Sequence, residues 1–200
     1  MKSFLIGIAG GSGAGKTFLA NKILNKYKKE TLIIEQDSYY KDLSNLKFEK
    51  RKTKNFDHPN AIDSILLEKH INRLINGQSI NKPIYNFSNH TRKKKFITLK
   101  PRPIIILEGI LIFTFKQILD LFSLKIFIDI QPDIRFIRRL SRDLEQRNRS
   151  TADICKQYLN SVRPMYTKFV EPSKSFSDII IKTENDYKTI FNIIKKNIFF

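Results

Sequence analysis

The chain has 200 residues, 41% of them hydrophobic, which is enough for one good core and is most simply a single domain over residues 1–200. A net charge of +18 suggests polyanionic partners, yet the cations are spread rather than patched and Lys, Asn, Ile and Phe are abundant throughout, as compositional bias in a genome would produce. The lone cysteine, Cys155, excludes a disulfide framework or a cysteine zinc cluster, and the longest later apolar run, Ile104 to Phe115, contains Glu108 and is too short to span a bilayer. The N-terminal apolar run is too short for a signal peptide, so the cytoplasm or an organelle interior is expected, a cytoplasmic location being the reading taken, with no membrane partner.

That first run, Phe4–Ala9, reads as a strand and enters Gly10-Gly11-Ser12-Gly13-Ala14-Gly15-Lys16-Thr17. The segment fits G-x-x-x-x-G-K-[ST], which becomes a phosphate cradle when a strand precedes it and a helix follows. Glycines let backbone N–H groups converge on phosphate oxygens, and a helix starting near Lys16 adds unpaired donors and its dipole. Lys16 would reach the β- and γ-phosphates and the Thr17 hydroxyl would ligate Mg²⁺, so a nucleoside triphosphate is expected to bind here. The plainer alternative is a glycine-rich turn that caps a helix.

A helix is predicted over Thr17–Tyr27, then a strand at Leu32–Glu35 and a helix at Ala61–Ile75. Two segments of strand character, Lys82–Asn86 and Lys95–Lys100, flank His90-Thr91-Arg92 and read as an inserted β-hairpin. Next come a strand at Ile104–Glu108, a helix near Phe115–Leu121, a strand at Leu124–Asp129 and a helix at Asp133–Gln146. A helix at Asp153–Val170, which Pro164 should kink or break, precedes a strand at Ile179–Ile181 and a helix at Tyr187–Lys196. The expected fold is α/β of the P-loop NTPase type: a five-stranded parallel sheet flanked by helices, with a hairpin inserted at about 82–100 and an Arg-rich lid at about 139–152.

Ligands of open α/β sheets bind beyond the carboxyl ends of the strands, where Asp37 and Glu108 fall. Glu108 has the form of a Walker-B metal acid; its alternative is an ordinary strand-end carboxylate. Arg135, Arg138, Arg139 and Arg142 share one helix face by spacing. With a phosphate loop upstream, a mobile lid closing over a triphosphate accounts for them better than a solvated basic face.

Over nearly its whole length the chain resembles the uridine kinases (uridine–cytidine kinases). The resemblance is carried by Gly10–Thr17, Gln36–Asp42, Asn55–Asp63, Pro83–Phe87 with His90-Thr91-Arg92, Glu108–Leu111, Asp133–Asp143, Gln157 through Met165, and Phe169–Lys174. It implies transfer of the γ-phosphate of ATP or GTP, with Mg²⁺, to the 5′-hydroxyl of uridine or cytidine, giving UMP or CMP. Asp37 is implied as general base and, with Thr17 and Glu108, as part of the metal site; Asp57 would hold the ribose hydroxyls. Lys16, Arg142 and Arg147 are implied on the donor phosphates and in catalysis, with Arg139 and Arg149 in the lid and substrate site. Tyr85, Phe87 and His90 would enclose the base, with Tyr40 and Gln157 lining the same site. Plain hairpin packing for Tyr85 and Phe87, and an exposed loop histidine for His90, are the competing readings. The resemblance also implies a homotetramer inhibited by CTP or UTP.

The chain departs from the family pattern at Phe18, Asn86, Asn148 and Tyr166, none of which carries a group assigned to catalysis. Another P-loop kinase, acting on a sugar phosphate or pantothenate, is the neighbouring alternative, and the ring-stacking hairpin argues against it. A basic NTP-dependent nucleic-acid-binding module, supported by the +18 charge and Lys93-Lys94-Lys95, is the alternative from another class; no nucleic-acid partner is expected.

Overall fold

A computed structural model describes residues 3–147 and 149–198, with Arg147 described by its backbone alone. In chain order, β1 (Phe4–Gly10) passes through the glycine loop into α1 (Lys16–Lys26), β2 (Thr31–Glu35) and a 3₁₀ turn at Gln36–Tyr39. Short α2 (Phe48–Lys52) and longer α3 (Ser64–Ile75) lead to the hairpin β3 (Ile80–Asn86) and β4 (Thr91–Leu99). Then follow β5 (Ile104–Glu108), α4 (Lys116–Leu119), β6 (Leu124–Ile128) and α5 (Pro132–Arg147). The chain continues through α6 (Thr151–Gln157), α7 (Arg163–Met165), β7 (Ile179–Ile181) and α8 (Tyr187–Ile198).

Among the described residues β2, β5, β1, β6 and β7 lie side by side in that order as one parallel sheet. Alternate side chains of β1 and β5 serve opposite faces, because successive residues of a strand point to opposite sides. Leu5, Ile105 and Leu107 pack with Leu67, Ile71 and Phe113 on one face; Ile6, Ile8, Ile104 and Ile106 pack with Leu19, Ile23 and Ile190 on the other. A sheet covered on both faces needs near-continuous apolar strands, and Ile-Ile-Ile-Leu in β5 meets that need. Register then places the chemistry: Ile8 and Glu35 both align with Glu108, so the phosphate loop, the turn after β2 and the end of β5 open at one edge.

Three expectations are corrected. The hairpin is longer than predicted, starting at Ile80 and resuming at Thr91 rather than Lys95, and its register shifts between Pro83 and Tyr85, where proline offers no N–H to the ladder. Helix α3 begins at Ser64 rather than Ala61, because the Asp63 carboxylate accepts the Leu66 N–H at 3.1 Å as an N-cap. Pro164 does not break its helix. Helical backbone runs from Thr151 to Val170, with π-helical turns at Tyr158–Val162 and Tyr166–Val170 on either side of α7. Wider turns, with the Arg163 N–H bonding the Tyr158 carbonyl, accommodate a residue that lacks a donor. No described helix is long and apolar enough to cross a membrane.

Candidate active site

The glycine loop owes its path to backbone geometry that side chains disfavour. Gly10, Gly13 and Gly15 have φ of 143°, 81° and 98°, and Gly15 in the left-handed region caps α1 without a side-chain bond. Lys16 is buried, with Nζ donating to the Gly11 carbonyl at 3.0 Å, so its ammonium is folded over the loop. Burial pulls its pKa down, while the charges of Glu108 and Asp37 oppose that shift. Thr17 Oγ1 donates to Glu108 Oε1 at 2.8 Å. Burial pushes the Glu108 carboxyl up, with Lys16 and the Thr17 bond acting against it. Lys16, Thr17, Glu108 and Asp37 are thus one electrostatic group at the sheet edge. Behind it, Gln36 Oε1 accepts the Leu111 N–H at 2.8 Å, tying the turn after β2 to the turn after β5. Gly109 has to be glycine there, since a Cβ would stand 2.2 Å from Gln36 Oε1.

The arginines of α5 meet different surroundings. Arg135 and Arg139 are buried, Arg142 is half-buried and Arg138 is exposed. Arg139 donates to Ser12 Oγ and to Gln157 Oε1, both at 2.9 Å, and Arg149 donates to the same Gln157 oxygen at 2.6 Å. Gln157, expected to line the nucleoside site, therefore joins two guanidinium groups. Arg142 contacts the fully buried Asp143 through Nε at 2.9 Å and Nη2 at 2.7 Å, and Arg149 Nη1 stands 3.6 Å from the other Asp143 oxygen. The Arg142 charge still reaches Lys16 and helps lower its pKa. The expectations for the Arg147 side chain and for Asn148 lie outside the described residues.

On the other side of the cleft stands an aromatic group. Tyr40 meets Phe56 and Tyr85 at ring-centroid distances of 5.3 and 5.2 Å; Tyr85 meets Phe87 at 5.3 Å. His90 stacks on Phe56 at 4.6 Å, and its backbone takes a φ of 53° to present that ring. The Tyr85 hydroxyl is buried and has no hydrogen-bond partner among the described residues. Asp57, also buried, accepts from Ser161 Oγ at 2.9 Å; burial raises its pKa against the pull of Ser161 and Arg139. The Asp37 charge is felt by Lys16 and Glu108 on one side and by Asp57 on the other. No cluster of three or more His, Cys, Asp or Glu among the described residues could cage a metal alone. The Thr17 hydroxyl and nearby carboxylates are hard oxygen donors, and they suit Mg²⁺ completed by water and phosphate oxygens.

The sequence profile of the "Phosphoribulokinase / Uridine kinase family" matches residues 5–190. The chain belongs to this family. It is 46% identical over 199 residues to the uridine kinase of Clostridium novyi (strain NT), covering 99% of this chain and 96% of that protein. It is 47% identical over 198 residues to that of Clostridium tetani (strain Massachusetts / E88), covering 98% and 95%. Among solved structures, phosphoribulokinase from Rhodobacter spheroides superposes with a TM-score of 0.68 at 17% identity, covering 90% of this chain and 70% of that one, a likeness of fold. The family's kinases use a nucleotide as phosphate donor, as the glycine loop leads one to expect.

Several residues of the cleft were not singled out by sequence. Arg92 anchors the hairpin: its Nε, Nη2 and Nη1 donate to the Tyr40 carbonyl (2.9 Å), the Tyr39 carbonyl (3.3 Å) and Asp63 Oδ2 (3.1 Å). Phe56 supplies the ring under His90, Ser161 supports Asp57, and Asp143 gathers arginines. Phe56 and Arg92 sit inside the matched motifs, beside Asp57 and His90, and adjacency to those was their only signal.

Proposed function

We propose that the chain is a uridine kinase that transfers the γ-phosphate of ATP or GTP to the 5′-hydroxyl of uridine or cytidine. The observation that carries this reading is the gathering of Lys16, Thr17 and Glu108 at the end of the glycine loop, with the Asp37 carboxylate near enough for its charge to bear on Lys16, Glu108 and Asp57. The two Clostridium relatives, similar over nearly their full length, support the choice of acceptor.

The donor's phosphates lie along Gly10–Thr17, where backbone N–H groups and Lys16 neutralise them. The single-ring base enters between the hairpin rings and Phe56, with His90 reading its edge, while Asp57 accepts from the ribose hydroxyls. Asp37 takes the proton from the 5′-hydroxyl as that oxygen bonds to the γ-phosphorus and the bond to the β-γ bridging oxygen breaks. Mg²⁺, held by Thr17, Glu108 and Asp37, would neutralise charge on the β- and γ-oxygens. Arg139, Arg142, Arg147 and Arg149 steady the transferring group once the lid closes. A homotetramer inhibited by CTP or UTP belongs to the same reading, and light scattering with and without those nucleotides checks it.

The test gives purified protein Mg-ATP or Mg-GTP with uridine, cytidine, thymidine, adenosine and a pentose phosphate, and follows product formation. Turnover of uridine and cytidine with little of the others is expected. No turnover of either pyrimidine ribonucleoside ends the proposal, and turnover of the sugar phosphate alone moves the chain to another branch of its family.

A further inference from the structure

Arg135 is a buried arginine for which the mechanism above has no use. It is 3% exposed, yet no carboxylate of the described residues stands within ion-pair distance of its guanidinium. A buried cation without an acid is costly, and it persists only where something else offsets the cost. Two neutral contacts hold it. Nε donates to the Ile130 carbonyl at 2.9 Å, and the guanidinium lies 3.9 Å over the ring of Tyr166. The rest of its surface faces the phosphate loop. A Cβ on Gly11 would fall 2.1 Å from Arg135 Nη1 and 3.1 Å from the Tyr166 ring, and a Cβ on Gly13 would fall 2.1 Å from the Arg135 carbonyl oxygen. Gly11 is thus required by the Arg135 guanidinium and Gly13 by the backbone of the same residue, and the Arg135 charge contributes to lowering the pKa of Lys16.

We propose that Arg135, seated by Tyr166, is a positioning residue for the phosphate loop, and that its uncompensated charge is completed by the phosphates of the bound nucleotide. The inference rests on the donor half of the reading above and is independent of which acceptor is used. A cation paired with a carboxylate would contribute little to an anion site. One paired with a carbonyl and an aromatic face keeps its full charge beneath the loop. Tyr166, a departure from the family pattern, then has a role: its ring offsets desolvation of the guanidinium without neutralising it. Gly11 holds the loop against that cation, Gly13 packs on the backbone carbonyl of the same residue, and the Gly11 carbonyl in turn accepts from Lys16.

The test measures binding of ATP, of inorganic tripolyphosphate and of uridine separately, by titration calorimetry at two salt concentrations, together with thermal unfolding. Arg135→Met should weaken both phosphate ligands by at least about tenfold, the order of effect of one charge in a partly screened interior. Uridine affinity should stay within about twofold, and the salt dependence of ATP binding should flatten. Arg135→Lys should recover much of the loss. Tyr166→Phe should behave as the parent protein, and Tyr166→Leu should lose about fivefold in ATP affinity, as expected for a lost cation–π contact. The proposal is overturned if Arg135→Met binds ATP normally, or if it loses ATP and uridine affinity in parallel with a fall in melting temperature. Should Arg135→Met not fold, Tyr166→Leu decides: selective weakening of the phosphate ligands supports the brace, and unchanged affinity removes it. An unmodified protein that binds uridine but no nucleotide would defeat the donor reading itself, an outcome distinct from unaffected variants.

Discussion

Replacing Arg92 by alanine separates the two halves of the cleft. Three side-chain hydrogen bonds disappear, to the Tyr39 and Tyr40 carbonyls and to Asp63, while the backbone bond from the Arg92 N–H to Asp42 Oδ1 at 3.0 Å survives. The Arg92 and Asp63 side chains are 19% and 29% exposed, so water can replace part of what is lost. Two neutral-acceptor bonds at about 1 kcal/mol each and one charged pair at about 1.5 kcal/mol, less some rehydration, give a cost of about 3 kcal/mol. For a chain of this size that is a fall of about 6–12 °C in melting temperature. The functional effect should be one-sided. Arg92 joins the hairpin that carries Tyr85, Phe87 and His90 to the turn that carries Tyr39 and Tyr40, and touches nothing in the glycine loop. The uridine KM should rise at least about tenfold while the ATP KM stays within about twofold, the signature of a misplaced acceptor. Arg92→Lys, which cannot fork between three acceptors, should fall between the two proteins. Thermal unfolding and initial rates over both substrates are sufficient. A melting temperature within about 1 °C of the parent would refute the hydrogen-bond reasoning. Equal changes in both KM values would refute the assignment of the hairpin to the acceptor.

Three further outcomes are expected. Asp37→Asn should reduce kcat by about 10²–10⁴-fold with unchanged unfolding, and near-normal turnover would end its assignment as base. Gly13→Ala, at φ 81° with its new Cβ 2.1 Å from the Arg135 carbonyl, should destabilise by about 2–4 kcal/mol and abolish nucleotide binding; a stable variant with normal ATP affinity would contradict the loop packing. Asp57→Asn should raise stability at neutral pH while weakening uridine binding. Its folded pKa lies above the ordinary 3.8, so the folded chain holds that proton more tightly and stability falls as pH rises from 3.8 through the folded value. The amide removes that penalty, and its advantage in chemical denaturation should be full at pH 7 and absent below about pH 3.8; a constant difference across pH would refute the burial argument.

What was legible in the sequence is what local pattern encodes. The β5 run Ile104–Glu108 and the short β7 run Ile179–Ile181 have the predicted bounds; β5 is buried on both faces and leaves an unbroken hydrophobic signature, while edge strand β7, with Ile180 exposed, is found by its Ile-Ile-Ile run alone. The glycine loop was legible for the same reason, as its backbone conformations and its Lys-Thr pair lie within one short segment. Helix ends were less so. The N-cap at Asp63 could be found by inspection, but Pro164 inside a continuous helix could not, since the compensating π-turns follow from packing and not from propensity.

The arginines show where pattern stops carrying information. Spacing sets Arg135, Arg138, Arg139 and Arg142 on one face of α5, and all four share one formal charge, yet each meets a different environment. Arg135 rests on Tyr166, Arg138 on solvent, Arg139 on Ser12 and Gln157, and Arg142 on Asp143. The partners of Arg139 and Arg149 come from the phosphate loop and from α6, segments that no periodicity connects. Asp143 is the decisive case. A fully buried carboxylate within reach of Arg139, Arg142 and Arg149, it offsets the charge of guanidinium groups drawn from two segments of the chain. Helix spacing alone sets Arg139 and Arg142 beside it, but Arg149 lies beyond the end of α5, and tertiary packing is what returns its guanidinium to the same carboxylate.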